Sequence, residues 1–192
     1  VDMLVMRHPH SGAAKFLAEK TNTIIINAGD GTHEHPTQAL LDAYSLMEKF
    51  GELTNKKILI LGDIMHSRVA LSNILLLVKL GAKVKLCAPK TLIPKDIETL
   101  GVSCEINLNK GLKWCDAINV LRIQNERMNQ RYFPSIREYS NLYRLDELKL
   151  NELNKKLVIL HPGPINRGVE ISSTLADSNQ SVILDQVQNG VA

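Results

Sequence analysis

The stretch IIINAGDGTHEHPTQALLDAYSLMEKF, residues 24–50, predicts a strand, a turn and a helix in succession. Its β-branched opening, residues 24–26, is typical of a buried strand, and the glycine-rich run NAGDG at residues 27–31 predicts a turn. Pro36 suits the first position of a helix, along which apolar residues recur at helical spacing up to residue 50. Because a helix start presents unpaired N–H groups, this stretch predicts an anion site beside His35 and Gln38.

Strands and helices alternate along the rest of the 192 residues, a pattern that predicts parallel sheets. Apolar runs predict further strands at residues 1–6, 58–61, 84–87, 102–106, 117–121 and 156–160. Helices are predicted after Ser11, which can serve as an N-cap, and over residues 69–80, which Gly81 ends. The fold class predicted is α/β, with doubly wound parallel sheets.

The chain is predicted to divide near residue 50 into two α/β units. Residues 1–50 form the later part of a first domain and include the connecting helix, and residues 51–192 form a second domain. The first strand begins with no residues before it, and residues 186–192 stop without completing a helix or strand. We therefore expect a piece of a longer fold, with the first domain only partly present.

Composition excludes several classes of function. The net charge of +3 is spread along the chain and predicts no nucleic-acid partner. No apolar segment approaches the length needed to cross a membrane. The three cysteines, Cys87, Cys104 and Cys115, lack metal-ligand spacing, which favours reduced thiols in a cytoplasmic protein.

Five predicted strands each run directly into a polar cluster. The clusters occupy residues 7–9, 29–38, 63–68, 122–127 and 161–167. In an open parallel sheet the carboxyl ends of the strands share one edge, where such folds bind ligands. Among the residues of these clusters are His35, Gln124 and the arginines Arg7, Arg68, Arg122 and Arg167. Guanidinium groups concentrated at one edge predict a small ligand with several negative charges.

Two other kinds of site fit the sequence less well. The spaced histidine pairs at residues 8 and 10 and at residues 33 and 35 suggest a metal, but no third ligand is suitably placed. Gly62 follows a predicted strand, yet the G-x-G-x-x-G spacing of a dinucleotide site is absent. We therefore predict neither a metal nor a cofactor.

Five motifs identify a family. HPTQALLD, GDIMHSRVALSN, LRIQNER and HPGPINRGVEI, in that order and with RHP upstream, closely resemble the catalytic chains of the aspartate carbamoyltransferases over essentially the whole chain. The resemblance implies two Rossmann-like domains. It also implies transfer of the carbamoyl group from carbamoyl phosphate to the amino group of L-aspartate, in de novo pyrimidine biosynthesis. The expected assembly is a homotrimer with shared active sites, and the sequence leaves open whether separate regulatory chains join it.

The resemblance also implies roles for the carbamoyl phosphate contacts. Arg7 and His35 match residues that polarise the carbonyl oxygen as it becomes an oxyanion, and are the expected catalytic groups. Gln38 matches the residue that orients the carbamoyl amide. The backbone carbonyls of Pro162 and Gly163 match acceptors that hold the amino groups of both substrates.

Further matches concern aspartate. Arg68 and Arg122 match residues that clamp its two carboxylates, with Gln124 beside Arg122. Arg137 and residues 128–143 fall where the family has a mobile loop that closes over substrate.

Parts of the family's active site are missing from the sequence. It has no Ser-Thr-Arg-Thr loop to grip the phosphate and no loop bearing the lysine that a neighbouring subunit donates, and the last helix stops near Gly190. We therefore expect these 192 residues alone to be inactive. Two alternatives stay open: a carbamoyltransferase for another amino acid, such as an ornithine derivative, and a non-catalytic homologue that serves in assembly.

Overall fold

A computed structural model of the chain describes residues 1–124 and 133–191. The first unit contains, in order, β1 (Met3–His8), α1 (Ala13–Lys20), β2 (Ile24–Asp30) and α2 (Pro36–Phe50). The second unit begins with β3 (Lys57–Leu61), α3 (Arg68–Lys79), β4 (Lys83–Cys87), 3₁₀ turns at Lys90–Leu92 and Ile97–Leu100, β5 (Ser103–Glu105), α4 (Leu108–Trp114) and β6 (Ala117–Val120). It continues with α5 (Ile136–Tyr143), α6 (Glu147–Glu152), β7 (Val158–Leu160), α7 (Ser173–Ala176) and α8 (Ile183–Asn189).

The second unit is built on a five-stranded sheet with the order β5-β4-β3-β6-β7. All of its strand pairs are parallel, and β3 and β6 in the centre are almost completely buried. The strand order reverses between β3 and β6, so the crevice at their carboxyl ends is where a doubly wound sheet binds ligands. The predicted α/β class with parallel sheets is confirmed. None of the helices in the described part of the chain is long and apolar enough to cross a membrane.

The first unit pairs β1 with β2 in parallel, and α2 then leads into the second unit and packs on α3 and α8. Two local predictions were wrong here. Residues 27–30 belong to β2 and form no separate turn. The N-cap of α1 is Gly12, at φ +82°, and not Ser11, because the Asp30 carboxylate accepts the Gly12 N–H at 2.7 Å and fixes this bend.

Two later segments also differ from expectation. Residues 136–143 of the expected mobile loop form helix α5, on which Tyr139 is buried and Arg137 is exposed, while residues 125–132 lie outside the described part. At the other end, residues 186–189 complete helix α8, although the sequence pattern showed no completed helix there; the helix ends at Asn189, close to Gly190 as the resemblance implied. Asn189 of α8 donates hydrogen bonds to Ser45 Oγ (2.9 Å) and Glu48 Oε2 (2.7 Å), so α2 stabilises this helix from the side.

Candidate active site

A cavity of about 320 Å³ lies where β1, β3 and β6 end and α2 and α3 begin. All eight residues predicted for the site line this cavity: Arg7, His35, Gln38, Arg68, Arg122, Gln124, Pro162 and Gly163. Three residues that the sequence did not single out line it as well: Ser67, Val69 and Pro164. The structure therefore brings residues from both units, up to 157 positions apart (7 to 164), into one space.

The three arginines reach the cavity from the ends of three strands. Arg7 lies near the end of β1, Arg68 is the buried first residue of α3, and Arg122 lies two residues beyond β6. Ser67 caps α3 by accepting the Ala70 N–H at 3.3 Å, which orients the helix start that carries Arg68. Three guanidinium groups around one small cavity favour a ligand with several negative charges.

Arg167 does not join this group. Its guanidinium forms a two-pronged ion pair with Asp177, with distances of 2.7 and 2.8 Å, and both side chains are exposed to solvent. The prediction that all four arginines gather at one ligand was therefore wrong for Arg167, because a carboxylate ten residues further along the chain already binds it.

His35 is held at the start of α2 as an uncharged imidazole. Its backbone N–H donates to Ser72 Oγ at 2.9 Å, which ties the start of α2 to α3. Burial disfavours the imidazolium, and Arg7 and Arg68 repel it, so the pKa of His35 falls from 6.5 to about 4. Thr37 Oγ1 lies 3.3 Å from Nδ1, and with that hydroxyl as donor the imidazole proton sits on Nε2. A neutral imidazole can then donate a hydrogen bond into the cavity without carrying charge.

Gly29, which the sequence predicts only as a turn residue, lies against the site. Its φ is +116°, and a Cβ at this position would lie 3.0 Å from Arg68 Nη1 and 3.4 Å from His35 Cδ2. Glycine leaves the room into which these two side chains pack. The glycine-rich run that begins after residue 26 was the signal for this position, but it did not reveal which side chains approach.

Gln38 enters the cavity from the first turn of α2. Its Nε2 donates to Asp42 Oδ1 at 2.8 Å, so its Oε1 is the atom that can accept a hydrogen bond from a ligand. Asp42 is completely buried, and this burial raises the pKa of its carboxyl, while hydrogen bonds from Asn73, Gln38 and other side-chain amides act in the opposite direction. No feature of the sequence singled out Asp42.

The buried His161 holds the segment that carries Pro162 and Gly163 in place. The Gly163 N–H donates to His161 Nδ1 at 2.9 Å, which leaves Nε2 of this ring to donate to Glu170 Oε1 at 3.2 Å. His161 and Glu170 are both buried, and the Asn166 N–H donates to the same Glu170 oxygen at 2.6 Å. Backbone carbonyls on so constrained a segment are suited to hold ligand N–H groups in fixed positions.

The cavity as a whole is suited to binding anions and polarising a carbonyl group. Among the described residues that line it there is no cysteine, lysine or carboxylate, and the Ser67 hydroxyl is used as a helix cap. Covalent catalysis by a side chain would need an activated nucleophile, which this lining does not provide. The arrangement instead favours positioning of two substrates and stabilisation of developing negative charge.

Two domain families match the chain. Residues 1–48 match the carbamoyl-P binding domain of aspartate/ornithine carbamoyltransferase, and residues 54–192 match the Asp/Orn binding domain of the same enzymes. Together the two matches account for most of the sequence.

Proteins of known name and proteins of known structure are similar to this chain. The aspartate carbamoyltransferase catalytic subunit of Flavobacterium psychrophilum is 65% identical over 192 residues, which are all of this chain and 62% of that protein. The catalytic subunit of M. jannaschii aspartate transcarbamoylase has a TM-score of 0.81 at 34% identity, covering 100% of this chain and 63% of that one. A Trypanosoma cruzi aspartate transcarbamoylase in complex with carbamoyl phosphate and aspartate has a TM-score of 0.83 at 28% identity, covering 98% and 63%. The chain thus spans about 62% of the length of the curated relative from Flavobacterium psychrophilum.

Proposed function

The chain belongs to the aspartate/ornithine carbamoyltransferase family, and from that membership we propose that the full-length protein transfers the carbamoyl group of carbamoyl phosphate to the amino group of L-aspartate. The products are N-carbamoyl-L-aspartate and phosphate, and the pathway is de novo pyrimidine biosynthesis. The observation that carries the proposal is that Arg7, Arg68, Arg122 and His35 line one cavity, in which burial, Arg7 and Arg68 lower the pKa of His35 to about 4.

The carbonyl of carbamoyl phosphate is the group that Arg7 and His35 activate in this proposal. The aspartate amine attacks the carbamoyl carbon, and the carbonyl oxygen becomes an oxyanion in the tetrahedral intermediate. A guanidinium and a neutral N–H donor stabilise that oxyanion more than they stabilise the starting carbonyl. The C–O bond to phosphate then breaks, and the departing phosphate can take the proton that the amine loses.

Aspartate is the acceptor that two guanidinium groups favour. Arg68 and Arg122 each pair with one carboxylate of the substrate, and Gln124 lies beside Arg122 on the same segment. The Gln124 backbone N–H donates to the buried carboxylate of Asp63 at 3.3 Å, which holds this segment in place. A cationic acceptor such as ornithine would be repelled by the same two arginines.

The carbamoyl amide is recognised by acceptor atoms. Gln38 Oε1 accepts one N–H of the carbamoyl NH₂ group, and the backbone carbonyls of Pro162 and Gly163 accept the other and hold the aspartate amine. This assignment is supported by the hydrogen bond from Gln38 Nε2 to Asp42, which uses the donor end of the amide and leaves Oε1 to accept.

The protein is expected to work in the cytoplasm as a homotrimer with active sites shared between subunits, and separate regulatory chains are compatible with this assembly. In this proposal residues 1–50 are the later part of the carbamoyl phosphate domain and residues 51–192 are the aspartate domain. The groups that grip the phosphate would then come from elsewhere in the full-length protein and from a neighbouring subunit. All three cysteines are unpaired, which supports the cytoplasmic setting.

The acceptor can be identified by a competition between amino acids. The full-length protein is incubated with labelled carbamoyl phosphate and equal amounts of L-aspartate and L-ornithine, and the products are separated by chromatography. We expect label in carbamoyl-aspartate and none in citrulline. Citrulline as the main product would support the first alternative, and the absence of both products from a folded protein would support a non-catalytic homologue.

A further inference from the structure

A continuous path of hydrogen bonds joins the two sides of the cavity through the protein interior. Gln38 Nε2 donates to Asp42 Oδ1 at 2.8 Å, and Gln186 Nε2 donates to the same oxygen at 2.7 Å. Gln186 Oε1 in turn accepts the backbone N–H of His161 at 2.9 Å, and His161 Nδ1 accepts the Gly163 N–H at 2.9 Å. The path therefore begins and ends at two residues that line the cavity.

The inner members of this path are shielded from water. The exposed fractions are 0% for Asp42, 3% for Gln186 and 2% for His161. A buried polar group that loses its partner cannot replace it with bulk solvent, so each of these hydrogen bonds strongly constrains its neighbours.

The carboxylate of Asp42 fixes the direction of every amide around it. Its second oxygen accepts Asn73 Nδ2 at 2.8 Å and Asn119 Nδ2 at 2.9 Å, so both oxygens are already used by donors. Asp42 accepts a hydrogen bond from each of four side-chain amides, and each of these amides therefore turns its NH₂ group towards it. For Gln38 this leaves Oε1 to face the ligand, and for Gln186 it leaves Oε1 to face His161.

This orientation of the Gln38 amide, with Oε1 towards the ligand, is the one that a carbamoyl group needs. The carbamoyl NH₂ offers two donors and must meet acceptors, and the acceptors available are Gln38 Oε1 and the carbonyls of residues 162 and 163. With Gln38 turned the other way, its own NH₂ group would face the substrate NH₂ group. An acetyl group, which has a methyl in place of the NH₂, does not distinguish the two orientations.

We propose that Asp42 and Gln186 are positioning residues that give the site its selectivity for a carbamoyl group, by fixing the Gln38 amide on one side of the cavity and the Gly163 segment on the other. This inference rests on the proposed function. Neither residue touches the substrate, and both act through groups that do.

The test compares carbamoyl phosphate with acetyl phosphate in the full-length protein. Selectivity is measured as the ratio of the inhibition constant of acetyl phosphate to the KM of carbamoyl phosphate. In Asp42→Ala the Gln38 amide loses the acceptor that orients it, and we expect this ratio to fall about tenfold, the size of one lost hydrogen bond to a charged group. The inhibition constant of acetyl phosphate itself should change less than threefold.

A second variant keeps the test decisive if Asp42→Ala does not fold. Gln186→Met preserves the length of the side chain and leaves Asp42 in place, and we expect about a threefold fall in the same ratio. Asn189→Ala is the matched control, since Asn189 lies on the same helix and contacts α2 through Ser45 and Glu48, outside the path. Its selectivity should equal that of the wild type.

Equal weakening of carbamoyl phosphate and acetyl phosphate in the folded variants would overturn the inference, because a merely structural role would affect both ligands alike. Unchanged selectivity in Asp42→Ala would overturn it as well. Failure of the proposed function is distinguishable, since the wild-type protein would then form no carbamoyl-aspartate at all.

Discussion

Replacing Gly29 with alanine would place a methyl group against the side chain of Arg68. The new Cβ would lie 3.0 Å from Nη1 and 3.2 Å from Cδ of Arg68, whereas ordinary van der Waals contact begins at 3.4 Å. His35 Cδ2, at 3.4 Å, is already at an acceptable distance. Arg68 is buried and begins α3, so its guanidinium must shift within the cavity to relieve the contact.

The expected effect has two parts. The φ of +116° is unfavourable for alanine, which should cost about 1–3 kcal/mol of folding stability. A misplacement of about 1 Å can cost about 100-fold in rate, and a guanidinium displaced by roughly half that distance should lower kcat/KM for aspartate about tenfold. The KM of carbamoyl phosphate should change less, because Arg68 is assigned to aspartate.

The assay is steady-state formation of carbamoyl-aspartate by the full-length protein, together with its melting temperature. Gly51→Ala is the matched control: Gly51 also has a positive φ, +74°, but nothing lies within 4 Å of an added Cβ. It should lower the melting temperature and leave kcat/KM unchanged. If Gly29→Ala behaved like this control, the view that Gly29 makes room for Arg68 would be refuted.

Three further predictions concern other parts of the chain. Arg122→Ala should raise the KM of aspartate by about 30-fold to several thousand-fold, because the loss of one partner of a charge-assisted pair costs about 2–5 kcal/mol. Arg167→Ala removes an exposed ion pair outside the cavity and should leave that KM within twofold. Equal effects of the two variants on this KM in steady-state assays would contradict the assignment of Arg122 to aspartate. The His35 imidazole should titrate near pH 4 in an NMR titration, staying neutral above that pH and becoming charged only as the pH falls through it, and a midpoint near 6.5 would refute the effect of burial and the two arginines. Cys87 and Cys115, whose burial raises the pKa of both thiols to about 12, should resist alkylation at pH 8 until the protein is denatured, as measured by peptide mass mapping; modification in the native protein would contradict their burial.

The sequence was sufficient to predict that Arg68 and Arg122 lie in one site, because residues that follow parallel strands of one sheet reach the same edge of that sheet. Each follows a short apolar run, and the carboxyl ends of neighbouring parallel strands must lie together. The order of β3 and β6 in the sheet was not needed for this inference, and the structure makes them direct neighbours.

The same reasoning failed for Arg167. It too follows a strand and stands in a polar cluster, but its local partner Asp177 lies on the segment after α7, whose direction no periodicity reveals. A strand end places a residue near the sheet edge, and only the path of the following loop decides whether the side chain points into the crevice.

Asp42 illustrates what sequence patterns leave out. On an amphipathic helix a carboxylate is usually on the solvent face, and in the sequence nothing marked this one as buried. Its partners Asn73, Asn119 and Gln186 are 31, 77 and 144 residues away. Such a network arises from contacts between distant elements, so no local window of sequence contains it.

The formation of carbamoyl-aspartate by the isolated residues 1–192, compared with the full-length protein, tests the central claim most directly. The cavity described here supplies the aspartate contacts and the groups that polarise the carbonyl, and the phosphate-gripping groups are proposed to come from elsewhere. We therefore expect carbamoyl-aspartate from the full-length protein and none from residues 1–192. Activity in residues 1–192 alone would contradict this division of the site, and a folded full-length protein without activity would contradict the proposed reaction.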